Sequence, residues 1–355
     1  MKILIDIGHP AHVHYFRNLA DIFLKKGYKV LFTTRDKEVA IKLLDHYGFN
    51  YVNFGKPFKS RIGKIWGLFW FTWRLFVVAL KFKPDMYLNA TQYSAVVAWL
   101  LRKPHISLED TFNFEQVRLY MPFTNAVLTG SYPHPDLGKK EIRYDGYQEL
   151  AYLHSKRYAP DPKILETLGF ATDEKYVVLR FISWNASHDF GCKGLGFEEK
   201  KVLIAEIAKY AKIIISSEVD LPEFLKKYQL SIPPHLIHDV LAFATLYIGE
   251  GATMASECAM LGTPAIYINA QDVHTIREQE TKYGLVFSYR DFDGVVEKAL
   301  KLIKIPDLRN EFRLKKEKMI SENIDLTAFL VWFVENYPSS KEIMKENPEY
   351  QLQFR

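Results

Sequence analysis

Two cysteines, Cys192 and Cys258, are all that 355 residues contain, and they stand far apart in no metal-ligand spacing. Neither a disulfide framework nor a zinc site is indicated, and a reducing cytoplasm is the expected compartment. No long Ser, Gln or Pro tract occurs, so the chain is not a disordered, collagenous or mucin-like polymer. No dense basic run accompanies the net charge of +5, and nucleic-acid binding is not expected. The opening MKILIDIGHP has no apolar signal-type core and no small-residue cleavage site. The longest apolar run, IWGLFWFTWRLFVVAL at 65–80, includes Arg74 and falls short of the about 20 apolar residues that span a bilayer.

What is present is a 48% hydrophobic, 15% aromatic chain whose length argues for two domains, each large enough to bury a core. Short β-branched runs alternate with helix-length amphipathic segments, the pattern of a parallel sheet covered by helices. Strands are expected at 3–7, 30–34, 51–54, 86–89, 105–108, 126–129 and 141–144. A second series begins with a strand at 176–182 and continues through strands near 213–216, 247–248 and 265–268. Between them GYQELAYLHSKRYAPDP, at 146–162, reads as a polar, proline-marked linker. The expected organisation is a first domain over 1–155 with an aromatic helix at 62–82, a second over 156–325, and a helix within 326–355 that returns to the first.

The most informative segment is YIGEGATMASECAMLGTPAIYIN, at 247–269. Gly249 and Gly251 permit close backbone approach, and the amides of Ala252, Thr253 and Met254 open a helix whose positive end favours a phosphate. Glu257 lies one turn beyond Thr253 on the same helix face, placed to accept hydrogen bonds from a ribose diol. Phosphate and ribose together mean a nucleotide; the alternative is an ordinary strand-to-helix turn.

Three further segments carry chemistry. IGHPAHVHYF puts His9, His12 and His14 directly after the first strand, at the sheet edge where ligands bind, and His12 or His14 is the candidate general base. Packed or helix-capping histidines are the competing explanation. RFISWNASHDFG follows the first strand of the second half, with Arg180 as phosphate partner and Ser183, Asn185, Ser187 and His188 as hydrogen-bonding groups. HISLEDT ends a strand with Glu109 and Asp110; adjacent residues point to opposite sides, so one of the two faces a ligand, and Asp110 is equally suited to cap the helix that follows. In the aromatic run, Trp66, Trp70 and Trp73 form one face beside Arg74, a composition suited to a membrane interface, with burial against the sheet or in a dimer as the alternative.

The segments IDIGHPAHVHYF, LEDT, DGYQELAYL, SWNASHDFG and GEGATMASECAMLGTP resemble the domain of unknown function 354 family across nearly the whole chain up to about residue 330. The resemblance implies the α/β GT-B superfamily, two Rossmann-like domains facing a central cleft, as in MurG-type glycosyltransferases and UDP-GlcNAc 2-epimerases. It places Glu257 on the ribose and Gly251, Ala252 and Thr253 on the diphosphate, and it puts Glu109 near the epimerases' catalytic glutamate. SLEDT and DVHTIREQETKYG depart from the epimerase pattern, and HPAHVH replaces the glycine-rich first loop of MurG-type enzymes. The expectation is a metal-independent glycosyltransferase with a UDP-type sugar donor as substrate, without further cofactor. It would build a cell-surface polysaccharide or glycolipid in the cytoplasm, on an acceptor that the sequence leaves open, a lipid-linked acceptor and a peripheral seat at the inner face of the cytoplasmic membrane being the options. The alternatives are a sugar-nucleotide epimerase or hydrolase and a non-catalytic GT-B scaffold that binds a glycan or partner.

Overall fold

The structure, a computed structural model, describes residues 1–56, 58, 60–89, 91–182, 195–217 and 220–355. The chain divides into two compact units, Met1–Arg157 with Asn323–Arg355, and Tyr158–Glu322. In the first unit the strands are β1 (Lys2–Ile7), β2 (Lys29–Thr34), β3 (Tyr51–Asn53), β4 (Met86–Leu88), β5 (His105–Leu108), β6 (Ala126–Gly130) and β7 (Glu141–Tyr144). They form one parallel sheet in the order β3-β2-β1-β4-β5-β6-β7. Its helices are α1 (Pro10–Lys25), α2 (Glu38–His46), α3 (Arg61–Phe82), α4 (Gln92–Leu100), α5 (Phe114–Tyr120) and α6 (Leu150–Leu153). Connections leave β1 in one direction and return at β4 in the other, so the switch of strand order falls between β1 and β4.

The second unit holds α7 (Lys163–Leu168), β8 (Tyr176–Phe181), α8 (Phe197–Ile207), β9 (Lys212–Ser217), α9 (Glu223–Lys226), α10 (Ile237–Phe243) and β10 (Leu246–Gly249). It continues through α11 (Ala252–Leu261), β11 (Ala265–Ile268), α12 (His274–Thr281), β12 (Val286–Tyr289), α13 (Val295–Ile303) and α14 (Leu308–Glu322). The sheet order is β12-β11-β10-β8-β9, again all parallel, with the switch between β8 and β10.

The chain then returns to the first unit as α15 (Leu326–Glu335) and α16 (Ser339–Glu346). Asp325 caps α15 through the Ala328 amide and pairs with Arg157 at 2.6 Å, while Thr327 donates to the Ala151 carbonyl at 2.6 Å. These bonds fasten α15 to α6 and to the chain just beyond it.

Two sequence expectations change. The division falls at Arg157 and Tyr158, inside the expected 146–162 stretch, but the first part of that stretch is no linker: Tyr147, Leu150, Ala151, Tyr152 and Leu153 are buried in the first unit. Polar residues in that stretch disguised an apolar set spaced to turn inward. The first helix begins at Pro10, because Pro at the first helical position presets φ and His9 supplies the cap. The aromatic helix α3 runs 22 residues, and its stretch Ile65–Phe82 is long and apolar enough by length and composition to cross a membrane. One stripe of it is anchored, since Phe71, Leu75 and Ala79 are buried in a core cluster with Leu4, Tyr87 and Val97.

Candidate functional sites

At the carboxyl edge of the first sheet, Asp6 in β1 is wholly inaccessible inside the otherwise apolar ILIDI. Burying a carboxylate is tolerable only if it is paired and hydrogen-bonded. Arg35, just past β2, reaches both its oxygens at 2.9 Å, and the Thr33 and Thr91 hydroxyls donate at 2.8 and 2.5 Å. The Arg35 guanidinium also donates to the Ile7 carbonyl at 2.8 Å and lies 4.9 Å over the Tyr93 ring. Strands β1, β2 and β4 thus converge on one buried polar cluster beside the switch in strand order.

His12 sits on this cluster. Its Nδ1 accepts the Gly8 amide at 3.1 Å, and the Asn89 amide nitrogen lies 2.6 Å from the same atom while donating to the Asp6 carbonyl at 2.6 Å. Asn89 holds φ at 98°, a left-handed conformation costly for a residue with a side chain, and the two hydrogen bonds hold it there. A backbone amide can only donate, so Nδ1 carries the lone pair and the ring proton resides on Nε2. Burial, then the nearby His9, Lys37 and Arg35 charges, hold the His12 pKa well below the ordinary imidazole range. His12 is therefore a neutral donor through Nε2–H at physiological pH, with its Nδ1 already engaged.

The other expected bases have different surroundings. His14 is buried, its ring stacked on Tyr152 at 5.3 Å and edge-on to Tyr47, so it packs α1 against α6 and does not present a base. Glu109 is likewise buried: Oε1 accepts the Thr111 amide and hydroxyl and the Phe112 amide at 2.8–3.0 Å, and Oε2 accepts the Tyr120 hydroxyl at 2.5 Å. That carboxylate organises the loop after β5. Its neighbour Asp110 does not cap a helix, since Asn113 caps α5. Asp110 is partly exposed, 3.4 Å from the Tyr15 hydroxyl, and Tyr15 stacks on His12 at 5.8 Å between centroids. Burial and the adjacent Glu109 charge push the Asp110 pKa up to about 7. Of the paired carboxylates, Asp110 is the one suited to exchange a proton near neutrality.

In the second unit, the strand-to-helix turn after β10 has the expected form. A Cβ on Gly249 would lie 2.5 Å from the Tyr247 hydroxyl and 2.7 Å from the Arg180 Cβ, so glycine is demanded by packing there. On Gly251 the nearest atom would be 3.6 Å away. Gly251 caps α11 and has no side chain to bond the first-turn amides, while Ala252, Thr253 and Met254 are solvent-reachable. The positive end of the helix is thereby open to an anion. Arg180, ending β8 across the strand switch, is steadied by a 2.8 Å bond to the Ser216 hydroxyl. Glu250 is buried and accepts the Ile182 amide at 3.0 Å and the Leu195 amide at 2.6 Å, holding the two sides of the connection that follows β8. Ser183, Asn185, Ser187 and His188 lie outside the described residues.

Glu257 is almost inaccessible, with Oε1 3.0 Å from His238 Nε2 on α10. The spacing placed it one turn from Thr253; packing of α10 on α11 adds the histidine that orients it. Asp6, Arg35, Asn89, Thr91 and Glu250 were not singled out from the sequence. A lone Asp inside an apolar strand was the available signal for the first. Among the described residues, no three His, Cys, Asp or Glu side chains are grouped to hold a metal ion.

Two all-parallel Rossmann-like sheets, each with a switch of strand order, define a fold of the GT-B-like class. The chain belongs to the DUF354 family of proteins of unknown function, whose family model matches residues 1–338. It is similar to an uncharacterised protein of Methanocaldococcus jannaschii, 28% identical over 293 residues that cover 77% of this chain and 83% of that one. Among solved structures it is similar to UDP-GlcNAc 2-epimerase from Neisseria meningitidis bound to UDP-GlcNAc, with TM-score 0.65, 15% identity and coverage of 88% and 94%. It is similar as well to spinosyn forosaminyltransferase, with TM-score 0.60, 15% identity and coverage of 95% and 100%. At such identities the likeness establishes the fold, which serves both transferases and epimerases.

Proposed function

We propose that the protein is a metal-independent glycosyltransferase that moves a sugar from a nucleoside diphosphate, of the UDP type, to a hydroxyl acceptor in cell-surface glycan assembly. The observation that carries this reading is the open N-terminus of α11, where Ala252, Thr253 and Met254 are reachable and no side chain of the cap occupies their amides. Arg180 supplies a cation for the diphosphate, and Glu257, fixed by His238, supplies a carboxylate on the same helix for the ribose. In the transfer, the acceptor oxygen forms a bond to the anomeric carbon as the bond from that carbon to the phosphate oxygen breaks. The leaving diphosphate takes the electron pair, stabilised by the helix amides, Thr253 and Arg180. The acceptor proton passes to a carboxylate with a pKa near neutrality, the role assigned to Asp110, while His12 donates from Nε2 to an oxygen of the sugar or acceptor.

Calorimetry with UDP and UDP-GlcNAc tests the donor site. Binding is expected, and Thr253→Ala should weaken it about tenfold, the worth of one hydrogen bond to a charged phosphate. If a panel of nucleotide sugars neither binds nor raises the melting temperature, the donor assignment fails.

A second reading, a sugar-nucleotide epimerase or hydrolase, draws on the same Asp110, because a carboxyl that titrates near neutrality also suits proton abstraction from carbon. Incubation of UDP-GlcNAc without acceptor separates the two, since an epimer or free sugar formed alone selects the second. Binding without turnover under every condition selects a scaffold.

A further inference from the structure

We propose that α3 is an in-plane membrane anchor that seats the first unit on an anionic lipid surface. At 100° per residue, Phe71, Leu75 and Ala79 define one face of α3 and Trp66, Phe69, Trp70, Trp73 and Leu80 the opposite one. The first face is buried in the core cluster; the second is exposed, with Trp66 at 60%, Phe69 at 68% and Trp73 at 59%. So large an apolar, mostly aromatic face, spread over about four turns, is costly in water and marks a docking surface.

Two observations choose the occupant. Every charged residue from Lys56 through Lys83 is Lys or Arg, with no Asp or Glu among them. Arg74 and Lys81 lie beside the aromatic face, the Arg74 guanidinium 5.8 Å from the Trp70 ring and 5.6 Å from the Phe54 ring. Indole rings settle at headgroup depth and adjacent cations attract anionic lipid. A second copy of this chain, joined face to face by a two-fold, would instead bring like charges together with no acidic residue of the segment to offset them.

Length and composition alone would also let Ile65–Phe82 span a bilayer. Crossing would extract Phe71, Leu75 and Ala79 from the core and part Arg74 from the Phe54 ring. The buried stripe therefore fixes α3 parallel to the surface, with only its outer face in lipid.

The proposal does not depend on the reaction assigned above. Its test is flotation of the full chain with vesicles of phosphatidylcholine alone and of phosphatidylcholine with 30% phosphatidylglycerol. Binding to the anionic vesicles is expected, weakening as salt rises, with a blue shift of tryptophan emission. Trp66→Ser/Phe69→Ser/Trp73→Ser should reduce the bound fraction at least about tenfold at unchanged melting temperature, because all three side chains leave the fold exposed already. Lys56→Glu/Lys81→Glu should reduce the preference for phosphatidylglycerol while keeping the aromatic face. The proposal is overturned if the wild type floats with neither vesicle, or if the triple variant floats as the wild type does. A concentration-dependent dimer in sedimentation that the triple variant abolishes, without vesicle binding, would assign the face to a second copy.

Discussion

Replacing Arg35 by Met probes the buried cluster beneath the first candidate site most directly. The substitution keeps an apolar stem of similar reach over Tyr93 and removes three hydrogen bonds of 2.8–2.9 Å, two of them to the fully buried Asp6 carboxylate. Thr33 and Thr91 still donate to Asp6, yet its charge is left uncompensated. Breaking one partner of such a pair costs about 3–5 kcal/mol. In a unit of this size each kcal/mol moves the melting temperature by about 2–4 °C, so the variant should melt about 6–20 °C lower. Asp6→Asn/Arg35→Met removes both charges, and it should recover at least half of that loss, which a double-mutant cycle in urea reads as a coupling energy of about 2 kcal/mol or more. If the two single losses simply add in the double variant, the claim that Arg35 is retained to neutralise Asp6 is refuted. A secondary readout follows from geometry: Arg35 is one of the cations that depress the His12 pKa, so an NMR titration of Arg35→Met should find His12 titrating at higher pH.

Further outcomes follow from single side chains. Asp110 holds its proton up to about pH 7 when folded and releases it near 4 when unfolded, so it lowers stability as pH rises from about 4 to 7, and the loss stays constant above. Asp110→Asn should therefore abolish turnover yet raise stability by about 1–3 kcal/mol at pH 8, discounted for its partial exposure, with little change at pH 4; equal effects at both pH values would contradict the shifted pKa. His105 behaves oppositely in direction, its burial pushing the imidazole down to about 3, so the first unit should lose stability as pH falls from about 6.5 towards 3, and substitution of His105 by Gln should flatten that slope in acid unfolding curves. Gly249→Ala must displace Arg180 or Tyr247 and should cost about 1–3 kcal/mol, whereas Gly251→Ala should fold at nearly wild-type stability; equal melting temperatures would show that the turn yields more easily than its packing implies.

The strand-and-helix alternation made both parallel sheets legible, because buried parallel strands are near-continuous β-branched runs and few folds accommodate two such series. The α11 turn was legible for a similar reason: a strand end, two glycines and a helix start follow one another within one short segment. Charged and polar side chains acting across strands were not. Asp6 meets Arg35 at a separation of 29 residues and Thr91 at 85, and no local pattern records such encounters. Alternation told that Glu109 and Asp110 point apart, but only Tyr120 and the Phe112 amide decide that Glu109 is the one drawn into the loop.

By itself the sequence determined the class of fold, the glycine-marked strand-to-helix turn that opens α11, and an aromatic helix with cationic flanks, since each follows from periodicity, glycine placement or composition within one segment. Tertiary structure decided which ionisable groups can do chemistry. The Gly8 amide fixes the His12 tautomer, Tyr152 takes His14 into the interior, His238 holds Glu257, and the core contacts of Phe71, Leu75 and Ala79 divide α3 into an anchored face and an exposed one. Protonation and exposure are set by neighbours from distant parts of the chain, and those neighbours exist only once the strands have been brought side by side.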